Sequence, residues 1–199
     1  MKRTNSCDIS IAITGSGGAG SITAGELLLS LAGKNDCFGI MRRSFGPQIR
    51  GGEAAALIRV GPSPIECMDD NFDLWLALDW QNADRFADEI ALRPDSLVIA
   101  DPAAGSVPEA VRELGLEVIE VPMKALAKEV DFGRPNMVAL GLLAHWLDFC
   151  ADEAGRLIDH TFSRKGENIV KGSMGAFSSG FNEPNIVEAR KNRERPEHC

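Results

Sequence analysis

The sequence lacks paired cysteines and any apolar run long enough to cross a membrane. Iron–sulfur and structural zinc sites use several converging thiolates, commonly from local pairs, so we expect no metal site. A membrane-spanning helix needs about 20 apolar residues, and the segment 137–147 is too short and contains His145. With no apolar signal core near the first residue either, we expect a cytoplasmic protein without a membrane partner. The five cysteines are scattered: Cys7, Cys37, Cys67, Cys150 and Cys199.

Positive charge is also scarce. Lysine and arginine total 21 against 29 aspartates and glutamates, a net charge of −8. Nucleic-acid binding depends on clustered positive charge, so we expect no nucleic-acid partner. The sequence contains no motif of a nucleophile-elbow hydrolase, a zinc protease or a P-loop nucleotidase, and we predict no catalytic residue. The 199 residues, of which 44% are hydrophobic, suffice for the core of one domain.

Short apolar runs alternate with longer helical patterns along the chain. This alternation predicts an α/β fold: a Rossmann-like, open, mainly parallel sheet with helices on both faces, in a single domain over residues 1–187. The charged segment 188–199 is predicted to be a solvated tail or a linker. The predicted strands are 8–14, 37–41, 54–60, 72–79, 96–100 and 117–121, and the predicted helices are 21–32, 82–92, 107–114, 123–130, 136–150, 152–159 and 166–177.

Four glycines lie between the first predicted strand and the first predicted helix, at Gly15, Gly17, Gly18 and Gly20. Backbone N–H groups at the start of a helix, together with the helix dipole, attract phosphate or carboxylate groups. We therefore predict that these four glycines bind the anionic part of a cofactor. The alternative is that they only allow the helix to pack closely on the strand.

A nicotinamide dinucleotide would need one more feature, an acidic residue at the end of the second strand. Asp36 has about the right spacing, but it precedes the predicted second strand and cannot reach a ribose beyond the far end of that strand. Arg42 and Arg43 occupy the region where the acid is needed. This pattern disfavours a simple dehydrogenase.

A second glycine-rich segment carries arginine. The residues Phe45-Gly-Pro-Gln-Ile-Arg-Gly-Gly52 precede a strand and contain too much glycine and proline for a helix. A guanidinium group and bare backbone N–H groups suit a phosphate, a carboxylate or an acidic partner surface. We therefore add Arg50, Gly51 and Gly52 to the predicted binding residues. The alternative is that Arg50 pairs with a nearby carboxylate.

Two other residues attract attention and are interpreted as structural. His145 lies in a nearly all-apolar predicted helix without a neighbouring nucleophile or carboxylate, so a buried or interface histidine is favoured over a catalytic one. Asp101 follows the end of a predicted strand, where ligands of α/β folds bind. Capping the next turn is the favoured role of its carboxylate.

Taken together, the two glycine segments resemble the gamma subunit or domain of the thiamine-dependent 2-oxoacid:acceptor oxidoreductases. That group includes the pyruvate, 2-oxoglutarate, 2-oxoisovalerate and indolepyruvate ferredoxin oxidoreductases. The resemblance covers about residues 8–180 and includes the strand 73–78, the helix from Asn136, and Lys165. Where this family commonly has glutamine in the first loop, the chain has Ala19, so no contact through that side-chain amide is expected.

The resemblance implies a complex that converts a 2-oxoacid and coenzyme A to an acyl-CoA, carbon dioxide and two electrons for ferredoxin. It implies thiamine diphosphate between alpha and beta components and iron–sulfur clusters in other subunits or domains. In agreement, the chain has neither a Gly-Asp-Gly thiamine segment nor cluster cysteines. The expected function is thus an accessory gamma component, not catalytic alone, that positions coenzyme A and meets ferredoxin only indirectly. The alternatives are an independent nicotinamide- or flavin-binding oxidoreductase and a purely structural subunit.

Overall fold

A computed structural model describes residues 8–46, 52–80, 83–86 and 89–192. The strands are β1 Ile9–Ser16, β2 Phe38–Phe45, β3 Glu53–Gly61, β4 Phe72–Ala77, β5 Leu92–Ala100 and β6 Glu117–Glu120. The α-helices are α1 Ser21–Lys34, α2 Glu109–Arg112, α3 Met123–Lys128, α4 Pro135–Trp146, α5 Ala151–Phe162, α6 Glu167–Phe181 and α7 Pro184–Asn192. Short 3-10 turns occupy Ala83–Phe86, Pro102–Ala104 and Ser163–Lys165.

The six strands form one open sheet in the order β2-β3-β1-β4-β5-β6. Strands β1, β4, β5 and β6 are parallel, whereas β3 is antiparallel to both β1 and β2. This arrangement confirms the predicted mainly parallel α/β sheet, and the two strands predicted without a helix between them are the antiparallel pair. Because β3 runs against β1, its first residue, Glu53, pairs with the last residue of β1, Ser16.

Helices cover both faces of the sheet, as predicted, but they do so unequally. On one face, Ile11, Ile13 and their strand neighbours form a large core with α1 and with α3 to α7. On the other face, a smaller core built around Trp75 is covered by the turn at 83–86 and by α2. The larger core therefore lies between the sheet and the layer formed by α1 and α3 to α7.

Helix α4 is the centre of that layer. Residues 136–144 are all buried, as its nearly all-apolar sequence predicts. It packs against α6 with backbone almost touching backbone, since a Cβ on Gly141 would overlap the Phe177 carbonyl oxygen. The helix was predicted to extend to residue 150. It ends at Trp146 because Asp148 adopts a positive φ of 61°, which interrupts the helical conformation.

The predicted helix at 82–92 is wrong in the part of it that the structure describes. There the chain forms a single 3-10 turn, and Leu92 begins β5 opposite Phe72. The register of this pair shifts further along, and Ser96 bridges the irregularity: its hydroxyl donates to the Phe72 carbonyl at 2.7 Å and accepts from the Arg93 N–H at 2.8 Å. Pairing with β4 therefore overrides the local helical pattern.

The first residues of the predicted tail, 188–192, are helical. Helix α7 extends from residue 184 to 192, with Ile186 and Ala189 buried and Arg190 paired with Asp148 at 3.0 Å. Val187 also packs against the core, so three apolar residues dock this helix. Residues 193–199 lie outside the described ranges, and a domain ending at residue 187 stays a prediction.

Among the described residues, no helix combines the length and the apolar character that a membrane span requires.

Candidate functional site

A cleft of about 1010 Å³ opens at the carboxyl ends of the parallel strands. It lies between the starts of α1 and α4, where ligands of open α/β sheets bind. Four of the seven predicted site residues line it: Gly17, Gly18, Gly20 and Gly52. The two glycine segments therefore meet at one place. Arg50 and Gly51 lie outside the residues that the structure describes.

Gly15 does not line this cleft. It lies within β1, opposite Ala54 of β3, and a Cβ there would come within 3.1 Å of the Ala19 Cβ and 3.2 Å of the Leu78 Cβ. Close packing is sufficient to explain a glycine at this position. For Gly15 the structure therefore supports the alternative role that its sequence context left open.

The start of α1 presents backbone donors to the cleft. Gly18 and Gly20 both have φ of 91°, a conformation that glycine adopts without strain, and the Ala19 N–H closes the turn on the Ser16 carbonyl at 2.9 Å. No side chain caps the helix at Gly20, and its first turn has no acidic residue. The first N–H groups of a helix have no acceptor within it, so this end suits an anionic ligand.

The start of α4 faces the same space. Its cap is Arg134, followed by Pro135 and Asn136, and its first turn also lacks an acidic residue. The Asn136 side-chain N–H donates to the Gly20 carbonyl at 3.3 Å, while a Cβ on Gly20 would lie 2.7 Å from the Asn136 Cγ. Gly20 is therefore required both by its φ and by the approach of α4.

Three cations line the cleft: Lys124, Arg134 and Lys165. Asp79 is the one acidic residue in its described lining. Within the described ranges no ion pair joins Arg134 or Lys165 to a carboxylate. Arg134 caps α4, and Lys165 lies two residues before α6, at helix ends where the dipole disfavours positive charge. A bound anion would stabilise this arrangement.

The sequence interpretation assigned none of these three cations to a binding site, although Lys165 was part of the family resemblance. It looked for positive charge in the segment around Arg50, but the arginines described there make ion pairs: Arg42 with Glu89, Arg43 with Glu26 and Arg59 with Asp8. A usable signal was present, since Lys124 lies in the first turn of α3 and Arg134 and Lys165 lie just before α4 and α6. Only the fold shows that those starts lie on one cleft.

The floor of the cleft is apolar. Leu78, Met137 and Phe162 are each less than a tenth exposed, and the apolar lining also includes Ile22, Phe45 and Ile169. Lys165 lies over the Phe162 ring, 5.1 Å from its centroid, so the ring holds the charge beside the cleft. The site therefore combines cations with a buried apolar surface.

Asp101 and His145 have the structural roles favoured from the sequence. The two carboxylate oxygens of Asp101 accept from the N–H groups of Ala103 at 2.9 Å and Lys124 at 2.7 Å, which fixes the turn and the start of α3. His145 lies outside the cleft lining, in edge-to-face contact with Phe181 at 5.1 Å. Burial lowers the pKa of His145. The described residues contain no group of three His, Cys, Asp or Glu side chains placed to hold a metal.

The strand order also bears on the nicotinamide alternative. On the side of β1 that faces β2, the neighbouring strand is β3. Because β3 is antiparallel to β1, it begins at the cleft instead of ending there. Asp36 lies before β2 with φ of 59°, at the end of the sheet away from the cleft. The carboxylate that would bind a ribose is therefore absent from the end of the second strand, and Glu53, at the start of β3, is 5% exposed.

Comparisons with known proteins agree on one group. Residues 10–183 match the sequence family described as pyruvate ferredoxin/flavodoxin oxidoreductase. The chain is 30% identical over 181 residues to the 2-oxoglutarate synthase subunit KorC of Archaeoglobus fulgidus, with 87% of each chain covered. The fold is similar to the keto/oxoacid ferredoxin oxidoreductase gamma subunit of Geobacter sulfurreducens, with a TM-score of 0.67 and 22% identity over 90% of this chain and 99% of that one.

A larger protein also contains this fold. The 2-oxoglutarate:ferredoxin oxidoreductase of Magnetococcus marinus, solved with 2-oxoglutarate, coenzyme A and succinyl-CoA bound, is similar with a TM-score of 0.77 and 25% identity. The similarity covers 92% of this chain but 31% of that one. The chain thus spans about a third of the Magnetococcus protein.

Proposed function

This chain belongs to the pyruvate ferredoxin/flavodoxin oxidoreductase family, and we propose that it is the gamma component of a 2-oxoacid:ferredoxin oxidoreductase and binds coenzyme A. The complete reaction joins a 2-oxoacid and coenzyme A into an acyl-CoA, releases carbon dioxide and passes two electrons to ferredoxin. In this proposal thiamine diphosphate lies between the partner alpha and beta components, and the iron–sulfur clusters belong to other subunits or domains. The chain acts inside the complex and does not catalyse the reaction alone.

The observation that carries the proposal is the cationic cleft between two helix starts. Coenzyme A combines phosphate groups with a long, mostly apolar arm that ends in a thiol. The exposed side chains of Arg134 and Lys165 and the uncapped start of α1 suit the phosphates. The apolar floor of Leu78, Met137 and Phe162 suits the arm. The cleft volume is at the upper end of the range of about 300–1,000 Å³ found for small-molecule pockets.

Support also comes from two independent similarities. The Magnetococcus enzyme was solved with coenzyme A and succinyl-CoA bound, and the Archaeoglobus relative is named as a 2-oxoglutarate synthase subunit. In the proposed role the chain binds and orients coenzyme A at its phosphate end. The thiol supplied by coenzyme A then accepts the acyl group at the thiamine site of the partner components.

The proposal is tested by titrating coenzyme A into the assembled complex that contains this chain. Arg134→Ala and Lys165→Ala are each expected to raise the Kd about tenfold, the effect of losing one charge-assisted phosphate contact. Arg156→Ala and Lys171→Ala are matched controls, since these exposed side chains pair with Glu153 and Glu167 outside the cleft. Unchanged affinity in both cleft variants would contradict the proposal and favour a purely structural subunit.

A further inference from the structure

We infer that Asn136 determines which part of coenzyme A enters the cleft floor, because its side-chain oxygen accepts a hydrogen bond from an amide N–H of the pantetheine arm. The inference rests on the proposed function and adds a specificity residue to it. Asn136 is 6% exposed and lines the cleft. Its Oδ1 is buried and has no hydrogen-bond partner among the described residues.

The orientation of this side chain is fixed by its other contact. The Gly20 carbonyl oxygen can only accept a hydrogen bond, so the Asn136 Nδ2 must face it, as it does at 3.3 Å. The Oδ1 atom is then left on the remaining side of the amide. A buried acceptor without a donor is costly, which points to a donor supplied by the ligand.

The chemistry of the missing donor distinguishes the parts of the ligand. Phosphate oxygens at neutral pH offer acceptors, so they satisfy the cations and backbone N–H groups of the cleft but not Asn136. The pantetheine arm carries two amide N–H groups within an uncharged chain. Such a group can enter an apolar site without the desolvation cost of a phosphate.

The exposure of the lining residues also separates a phosphate-binding part of the cleft from a part that binds the pantetheine arm. Arg134 and Lys165 are exposed, so phosphates bound to them remain in contact with water. Asn136 lies deeper, next to Met137, which is 1% exposed. Coenzyme A bound in this way has its phosphates at the exposed mouth of the cleft and its amide-bearing arm at the buried floor. Inorganic phosphate or a nucleotide fragment uses only the first of these two parts.

The test compares three probes by calorimetry on the full chain and on the assembled complex: coenzyme A, pantetheine and adenosine 3′,5′-bisphosphate. Asn136→Leu, which keeps the number of side-chain heavy atoms, is expected to weaken coenzyme A and pantetheine about five- to tenfold and to weaken the bisphosphate less. Arg134→Ala is expected to weaken coenzyme A and the bisphosphate and to leave pantetheine unchanged. Equal losses for all three probes in Asn136→Leu, or no loss, would overturn the inference.

A change on the ligand side tests the same contact without altering the fold. Two coenzyme A analogues are prepared, each with an ester oxygen in place of one of the two amide N–H groups. One of the two should bind the wild-type protein about five- to tenfold more weakly than coenzyme A. That analogue should lose nothing further in Asn136→Leu. Full binding of both analogues overturns the inference, whereas failure of coenzyme A itself to bind the wild-type complex overturns the proposed function.

Discussion

Gly20 and Asn136 are 116 positions apart in the chain and share one small volume. The asparagine amide occupies the space where any side chain at residue 20 would project, and it donates to the carbonyl of the same glycine. This contact joins the start of α1 to the start of α4. The geometry of the cleft therefore depends on one residue having no side chain.

The first prediction separates backbone strain from steric conflict at this point. Gly18→Ala should cost about 1–2 kcal/mol of unfolding free energy, because φ is positive but nothing lies within 4 Å of the new Cβ. Gly20→Ala should cost at least about 1 kcal/mol more, because it also meets Asn136. Denaturant melts of both variants provide the measurement. Equal losses of unfolding free energy in the two variants would show that α4 moves away from the new Cβ at residue 20 without an energetic cost.

At the scale of residues, the sequence predicts site residues that are neighbours along the chain and misses those that tertiary packing brings together. The glycine loop was predicted because a strand, four glycines and a helix follow one another directly. Lys124, Arg134 and Lys165 were missed as site residues because they belong to three separate helix starts. Their proximity to one cleft follows from tertiary packing, and spacing along the chain carries no such information.

At the scale of elements, strands were easier to predict than helix limits. Each predicted strand overlaps a strand of the sheet, because short β-branched or apolar runs between turn residues are a local signal. Segment 82–92 was wrong where the structure describes it, since pairing of Leu92 with β4 decides its conformation. Residues 188–192 of the predicted tail belong to α7, which Ile186, Val187 and Ala189 pack against the core.

Three helices meet at His145, and this junction predicts a pH dependence. Burial lowers the pKa of His145, with Arg190 and Lys191 of α7 lowering it further, while Asp148 and a hydrogen bond with the Phe181 backbone oppose them. The folded state therefore holds the imidazole neutral, and the unfolded state binds its proton at higher pH. Stability should fall as the pH decreases below the ordinary value of 6.5.

Thermal melts across pH 5 to 8 provide the check on this junction. In a plot of melting temperature against pH, His145→Gln should flatten the part of the curve just below pH 6.5. The control His160→Gln, at an exposed residue of α5, should leave the slope of that plot as in the wild type. If the melting temperature of His145→Gln depends on pH as that of the wild type does, other groups are responsible for the pH dependence.

For the whole molecule, the charge of the cleft is opposite in sign to the net charge of the chain. The chain carries a net charge of −8, yet the cleft lining has three cations and one acid among its described residues. Arg134 and Lys165 are exposed, so added salt weakens their attraction for phosphates, and at 0.1 M ionic strength exposed charges more than about 10 Å apart are largely screened. Coenzyme A binding should therefore weaken markedly between low and high salt.

The measurement is a series of Kd values from about 0.05 to 0.5 M salt. The double variant Arg134→Ala/Lys165→Ala should bind more weakly at low salt and show a shallower slope. Pantetheine, which has no phosphate, serves as the uncharged reference and should change little. A coenzyme A affinity that does not respond to salt would remove these two side chains from the binding site.

The reversed direction of β3 has a consequence for engineering. In a nicotinamide-binding domain, cofactor preference is changed by exchanging one acidic residue at the end of the strand beside β1. Here the corresponding place is the beginning of a strand, and its backbone approaches from the opposite direction. Converting this protein into a dehydrogenase would therefore require rebuilding the connection from residue 38 to residue 61, and point mutations in the glycine loop would not achieve it.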